Sequence, residues 1–360
     1  MSGPRLAILA GGGTGGHTYP AIAVADELVR RGWRVRFVGG RRGIEGRVVP
    51  AAGYEIELLP GRGLQRRLTW ANVEAIVGAV RAVLAALRIV RTARPVVVVG
   101  FGGYASLPCV VAARLRRIPV VVHEQDAAVG LANRLGVRVG ARPVISIPGT
   151  DLPGATLTGN PVRVEVGAVV RAPDAAPALV TVVSGSQGAR SVNAAAVACY
   201  DLWRHRSDLR VRLVTGPRYF DDCAAAITAA RRDDDALAYE VVAYEEHMED
   251  VYRRSALVVC RAGAGTVAEL TAVGVPSVLV PLPGAPSDHQ TRNGRALESA
   301  GAGVLLPDAE CTGPRLAAAV SDLLADPGRL VAMAAAARSL GEPRAAQRVA
   351  DVVEEHSRAR

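Results

Sequence analysis

Four short stretches of this 360-residue chain have the residue types and spacing that chemistry on a phosphorylated ligand needs. The first, Gly11-Gly12-Gly13-Thr14-Gly15-Gly16-His17, runs from the apolar segment Leu6 to Ala10 into a helical pattern. Its glycines allow a tight turn, and the N–H groups and dipole of a helix start favour an anion or a polar ligand. The others are Gly100-Phe101-Gly102-Gly103-Tyr104, Ser184-Gly185-Ser186-Gln187-Gly188-Ala189 and Arg261-Ala262-Gly263-Ala264-Gly265-Thr266. In the last of these, small residues let a diphosphate approach the helix start. Glu269, one turn further on, can accept two hydrogen bonds from a sugar diol. The first loop also satisfies the GxGxxG dinucleotide fingerprint. However, the second strand ends in Gly39-Gly40-Arg41-Arg42 instead of the acid that holds an NAD ribose. The dinucleotide reading is therefore an NADP site with Arg41 or Arg42 on the 2′-phosphate.

Holding such loops takes parallel strands. Short β-branched runs alternate with longer helical patterns, as in βα units whose strands are buried on both faces. Strands are expected near 5–10, 34–38, 96–100, 119–122 and 144–147, and again near 179–184, 210–215, 239–243, 256–260 and 277–281. Between about 148 and 178 the chain is rich in Pro and Gly and loses periodicity, which marks a domain boundary. The expected fold class is α/β, with two doubly wound Rossmann-like domains. In such sheets ligands bind at the carboxyl ends of the strands, where all four loops fall. The stretch from Gly313 to Arg360 reads as helical with a break at Gly341 to Pro343, and its last amphipathic segment can pack back on either domain.

Length alone, at roughly 150 residues per domain, allows two ordinary cores. The 43 basic residues, all arginine, exceed the 34 acidic ones to give a net charge of +9, which favours anionic partners. Aromatics are only 4% of the chain, and neither a long Arg run nor zinc-finger spacing occurs, so nucleic acid is not the expected partner. Five widely spaced cysteines without a CxxC read as reduced, small hydrophobes. The first apolar segment is too short for a signal peptide, and no uncharged run approaches the ~18 residues of a membrane span, so a cytoplasmic location is expected. Asp233-Asp234-Asp235 has the form of a metal-binding Asp-x-Asp pair, but it follows Arg231-Arg232 far from any glycine loop and reads as a solvated turn. His205, His247 and His356 lie in charged helical contexts and read as surface residues. From Trp70 to Val90 apolar residues keep the spacing of one helix face, expected to be mostly core. The arginine-bearing loop from Arg62 to Trp70 before it is the candidate contact for an anionic membrane surface.

The four loops, together with His123-Glu124-Gln125, Gly159-Asn160-Pro161-Val162-Arg163 and Asp288-His289-Gln290-Thr291-Arg292-Asn293, resemble the MurG family of GT-B glycosyltransferases. These enzymes use UDP-N-acetylglucosamine to convert lipid I to lipid II in peptidoglycan synthesis. The motifs stand in the family's order from Gly11 to about Glu298. The resemblance implies an acceptor domain over 1–163, a donor domain over 164–340, a cleft between them, and a helix over 341–360 that returns to the first domain. It implies an inverting transfer of N-acetylglucosamine to the 4-hydroxyl of lipid I, a polyprenyl-pyrophosphate acceptor, by an enzyme peripheral on the inner face of the cell membrane.

Carried over by position, the resemblance gives Ala264, Gly265, Thr266 and Glu269 the donor's phosphates and ribose, and Gln290 the sugar hydroxyls. Arg163 would face the nucleotide's anion, Ser186 and Gln187, at another helix start, would close on the diphosphate, and uracil would lie near Tyr244 and Glu245. Thr14, Gly15, Gly16, Gly103, Tyr104, His123 and Asp126 would hold the acceptor. His17 is the candidate base, because an imidazole titrates near neutral pH, and Glu124 also approaches the acceptor side. Three positions depart from the family's pattern: Ser184 stands for Gly, Gly294 for Ala, and Asp126 for Asn. The carboxylate of Asp126 beside a pyrophosphate points either to an altered acceptor or to a bridging Mg²⁺, and no cofactor is otherwise required. The alternatives are a related glycosyltransferase of specialised metabolism, a catalytically weak sugar-nucleotide-binding protein, and an NADP-dependent oxidoreductase. The last would need a catalytic Lys, Tyr or His pair that the second half does not offer.

Overall fold

The structure, a computed structural model, describes residues 4–41, 43–60 and 71–358, and for 71–76 the backbone alone. The chain divides into two compact units, 1–163 with 342–360, and 164–341. The first unit holds seven parallel strands: β1 (Leu6–Ala10), β2 (Arg34–Gly40), β3 (Ile56–Leu59), β4 (Val97–Gly100), β5 (Val120–Glu124), β6 (Arg142–Ile145) and β7 (Thr156–Leu157). Their order is β3-β2-β1-β4-β5-β6-β7, with Ile8 opposite Arg36 on one side and Val98 on the other. The second unit holds β8 (Ala178–Val183), β9 (Leu209–Val214), β10 (Ala238–Val242), β11 (Leu257–Cys260), β12 (Ser277–Leu279) and β13 (Gly303–Leu305), in the order β10-β9-β8-β11-β12-β13.

Both sheets are covered on both faces, which is why their central strands are continuous apolar runs. In the first unit Leu9, Val24, Leu28, Trp33, Phe37, Val349 and Val353 form one layer, and Ile8, Val38, Ala86, Val98, Cys109 and Val110 the other. Burying each large aliphatic side chain stabilises by about 1.5–3 kcal/mol. The last helix, Ala345–Arg358, supplies Val349 and Val353 and therefore belongs to the first unit. Ion pairs fasten it there: Arg31 reaches Glu27, Asp351 and Glu354, and the Trp33 indole N–H donates to Glu354 at 2.9 Å. All five cysteines are buried and unpaired.

Several details differ from the sequence reading. Strands β3, β7 and β13 were not expected, and the C-terminal stretch has a second break, at Asp326, whose carboxylate caps the helix Pro327–Leu340 through the Arg329 N–H. Asp235 is not solvated, because its carboxylate accepts from the Tyr200 hydroxyl at 2.6 Å and pairs with Arg204 at 2.9 Å. The helix Ala71–Ala93 turns Ala82, Ala86, Ile89 and Val90 to the core, but leaves Val77, Val80 and Leu84 exposed at 44%, 55% and 53%. The membrane-candidate loop from Arg62 to Trp70 lies outside the described residues, as does Arg42.

Candidate active site

In each sheet the chain reverses direction at its first strand. From β1 the chain steps outward to β2 and β3 on one side and then crosses from β3 to β4 on the other side of β1, so the loops after β1 and β4 flank a crevice at the strands' carboxyl ends. The same holds for β8 with β9 and β11 in the second unit. The glycine loops of the sequence fall at these two switch points.

In the first unit the glycine loops touch. Gly12 and Gly103 pass so closely that a Cβ on Gly103 (φ 76°) would lie 2.2 Å from the Gly12 carbonyl oxygen. Thr14 precedes the helix Gly15–Arg30 but does not cap it, and its hydroxyl lies 3.1 Å from His17 Nδ1 instead. When Nδ1–H donates to Thr14, the imidazole's proton-accepting lone pair sits on Nε2. That ring edge packs over Gly102, where a Cβ would be 3.1 Å from Nε2. Tyr104 spends its hydroxyl on the carbonyls of Pro60 and Gly78, at 2.9 and 3.2 Å.

The segment after β5 is a buried polar network. His123 is fully enclosed, with Nδ1 2.9 Å from Gln125 Nε2 and Nε2 3.1 Å from the Gly159 carbonyl oxygen. The amide must donate to Nδ1, so Nε2 carries the proton and donates to Gly159. Burial, with His17 adding to it, pushes the His123 pKa down to about 4, so the ring is neutral near pH 7. Glu124 is 3% exposed and accepts from the N–H groups of Asp126 and Gly130 and from the Asn133 amide. Burial raises its carboxyl pKa against the pull of those bonds. His123 and Glu124 thus shape the wall beside His17, whereas Asp126 is partly exposed at the loop that Glu124 organises. Arg163 lies within the first unit, its guanidinium 5.7 Å from the centre of the Tyr19 ring.

In the second unit the helix Ala264–Val273 starts from Gly263 without a side-chain cap. Apart from chain neighbours and the helix's own backbone, nothing among the described residues comes within 4 Å of a Cβ built on Gly263 or Gly265, so there is open space beside both glycines. Glu269 Oε2 accepts from the buried Tyr252 hydroxyl at 2.8 Å, which orients the carboxylate. Gln290 accepts from the Leu282 N–H at 2.9 Å, holding its side chain to the loop after β12. Glu245 is paired with Arg212 at 2.7 Å, beside the half-exposed Tyr244. Ser186 and Gln187 are exposed in a turn, three or more residues before the helix Arg190–Trp203 rather than at its start. Ser184 Oγ donates to Asn193, a tether that glycine could not make, and Leu305 fills the space that a Cβ on Gly294 would take.

Sequence reasoning gave no role to three residues of these sites, two of which, Arg261 and Asn293, stand inside the motifs it singled out. Arg261 donates to the carbonyls of Val280 and Pro281, to Asp308 and to Ser191, tying the loops after β11, β12 and β13 to the first turn of the helix Arg190–Trp203. Asn293 donates to the Ala262 carbonyl at 3.0 Å. Glu45, buried at 2% exposure, accepts from the N–H groups of Gly13 and Gly40, each at 2.8 Å. The available signal was the cluster of glycines around it. Among the described residues, no three His, Cys, Asp or Glu side chains group as a metal site.

Residues 7–143 match the glycosyltransferase family 28 N-terminal domain and 179–349 the C-terminal domain of that family. A transferase of Alkalilimnicola ehrlichii named for UDP-N-acetylglucosamine and N-acetylmuramyl-(pentapeptide) pyrophosphoryl-undecaprenol is 43% identical, covering 98% of this chain and 99% of its own. A protein of the same name from Desulforudis audaxviator is 40% identical over 96% and 97%. The crystal structure of Acinetobacter baumannii MurG superposes with a TM-score of 0.80 at 28% identity, covering 98% of this chain and 99% of that one. Two Rossmann-like units with these loops are those of a GT-B glycosyltransferase, which removes the oxidoreductase alternative, and the chain belongs to the MurG family.

Proposed function

We propose that this enzyme moves N-acetylglucosamine from UDP-N-acetylglucosamine to the 4-hydroxyl of the muramyl sugar of lipid I, forming lipid II. The observation that carries this reading is a likeness running the length of the chain to transferases of that name, with both sets of loops at the carboxyl ends of the central strands. His17 Nε2 takes the hydroxyl proton as the acceptor oxygen attacks the anomeric carbon. The bond from that carbon to the diphosphate breaks, and UDP leaves with the electron pair. Attack on the face opposite UDP inverts the centre and gives a β-linkage. Thr14 orients the imidazole, and Gly15, Gly16, Gly103, Tyr104, His123 and Asp126 form the acceptor's surroundings, with Glu124 holding that loop.

On the donor side, the start of helix Ala264–Val273 offers Ala264, Gly265 and Thr266 to the diphosphate and stabilises the charge that grows on it. Glu269 receives the ribose diol, Gln290 the sugar, and Tyr244 and Glu245 lie by the uracil. Ser186 and Gln187, in the same unit, complete the anion's surroundings. The test is transfer of labelled sugar from UDP-N-acetylglucosamine to a lipid I analogue. Efficient transfer is expected. Donor binding with no transfer to that acceptor, but transfer to an acceptor lacking the muramyl pyrophosphate, would instead favour the specialised-metabolism enzyme.

A lipid-linked acceptor requires the enzyme to work at a membrane surface, on its cytoplasmic side. Val77, Val80, Arg81, Leu84, Arg88 and Arg91 share one exposed helix face, and the exposed Leu115 is flanked by Arg114, Arg116 and Arg117. Apolar side chains among arginines are what an anionic bilayer surface attracts. No helix among the described residues is long and apolar enough to cross a membrane. Sedimentation with vesicles containing anionic lipid should retain the enzyme and lose it on Leu84→Asp, and equal retention of the variant would place the contact elsewhere.

A further inference from the structure

The first glycine loop is built around a buried side chain that belongs to neither substrate. Glu45 stands at the start of the short helix Glu45–Ala51 and reaches back under the ends of β1 and β2. One carboxylate oxygen accepts from the Gly13 N–H and the other from the Gly40 N–H, both at 2.8 Å. The space it fills exists only because three neighbours have no side chain. A Cβ on Gly12 would lie 2.1 Å from Oε1, one on Gly43 1.9 Å from Oε2, and one on Gly39 2.5 Å from Cγ. Gly12 and Gly13 adopt φ of 144° and 96°, a path that side chains rarely follow and that the carboxylate pins in place. The next residue is Thr14, whose hydroxyl meets the His17 ring, and the Gly12 carbonyl oxygen abuts Gly103 of the second loop.

We infer that Glu45 is a positioning residue for transfer: its carboxylate fixes the path of Gly12 and Gly13, and through Thr14 the place of the His17 imidazole. An anion already built into the protein also satisfies the Gly13 and Gly40 N–H groups. An acceptor pyrophosphate therefore does not take those two donors. The inference rests on the proposed role of His17 toward the acceptor hydroxyl.

Two variants disturb the carboxylate in different ways. Glu45→Gln keeps the shape but sets an amide N–H₂ against one backbone N–H. Gly43→Ala keeps the carboxylate and pushes it out of its seat. A misplacement of a reacting group by about 1 Å can cost on the order of 10²-fold in rate. Both variants should therefore lose about 10- to 100-fold in kcat with lipid I analogue, while the KM for UDP-N-acetylglucosamine, held by the other unit, stays within about twofold. The two failures are separable. If the parent enzyme does not transfer to lipid I analogue, the proposed function fails. If the parent transfers and both variants melt at lower temperature yet keep kcat within about twofold, Glu45 is structural only and the inference is wrong. A lower acceptor KM with kcat retained would overturn it as well, by showing that the carboxylate competes with the acceptor's anion for the loop.

Discussion

Removing the carboxylate of Glu269 tests the donor side most directly. Its Oε2 accepts from the hydroxyl of Tyr252, a residue only 1% exposed, so Glu269→Ala has two effects that must be separated. The first is on stability: a buried hydroxyl that loses this acceptor costs about 1–3 kcal/mol. The second is on binding: the charged hydrogen bond proposed to the ribose is worth about 1.5–3 kcal/mol, or about 10- to 100-fold in affinity. Glu269→Gln divides the two. Its carbonyl oxygen still accepts from Tyr252 and it remains a neutral acceptor for the diol, so stability should hold while affinity falls only about fivefold. Tyr252→Phe does the reverse and should lower the melting temperature more than it lowers affinity. Calorimetry with UDP-N-acetylglucosamine and with UDP, alongside thermal melting of the three variants, gives both numbers. If Glu269→Ala loses stability yet binds both nucleotides as tightly as the parent, the carboxylate serves the protein's own structure and the donor assignment is wrong.

His17→Ala should cut kcat by about 10² to 10⁴ while calorimetric donor affinity is unchanged, and turnover above about a third of the parent's would pass the base's role to another group. His123 has a folded pKa of about 4 against an ordinary 6.5, so below pH 6.5 the unfolded chain binds a proton that the native ring refuses. That penalty is absent above pH 6.5, grows as pH falls and is complete below pH 4, at on the order of 3 kcal/mol; His123→Gln should flatten this part of a melting-temperature profile. Asp126→Asn should speed transfer to lipid I analogue and weaken its dependence on Mg²⁺. A carboxylate ~6 Å from a pyrophosphate charge costs on the order of 3 kcal/mol at an effective dielectric near 20, and vigorous parent turnover indifferent to chelator and substitution would turn Asp126 away from the acceptor.

What could be read from the sequence follows from which interactions leave a local trace. Central strands such as Val97–Gly100 and Val120–Glu124 are buried on both faces, so their apolar runs were visible. β3, β7 and β13 lie at sheet edges, with four, two and three residues and mixed burial, and a short half-exposed run has no distinct pattern. The Asp326-Pro327 break was legible in kind, a capping acid before proline, but was passed over inside a long helical pattern. The glycine loops stood out by type and spacing, and they fall at the carboxyl ends of the central strands. Glu45 did not, because its partner Gly13 is 32 residues away and a backbone N–H has no residue type. Asp235 was misread for a related reason: in a run of acids and arginines, the one carboxylate that turns inward to Tyr200 looks like its neighbours.

Glycine does opposite work in the two units, and that difference separates their chemistry. Around Gly12, Gly39 and Gly43 the missing side chains are spent on the protein's own carboxylate, so the space under the loop is filled by Glu45. What it shows outward is side-chain chemistry, Thr14 and His17, which in the proposed mechanism meets a neutral hydroxyl that must give up a proton. At Gly263 and Gly265 the missing side chains leave open space at a helix start. What that unit shows outward is backbone dipole, which in the proposed mechanism meets a diphosphate that must accept an electron pair. A carboxylate like Glu45 placed beneath the second loop would oppose the leaving group's growing charge. An empty anion site beneath the first would admit phosphate where the proposed mechanism seats a hydroxyl. One α/β switch point can therefore serve both halves of a group transfer, provided that its glycines enclose an internal anion on the side of attack and leave room for an external one on the side of departure.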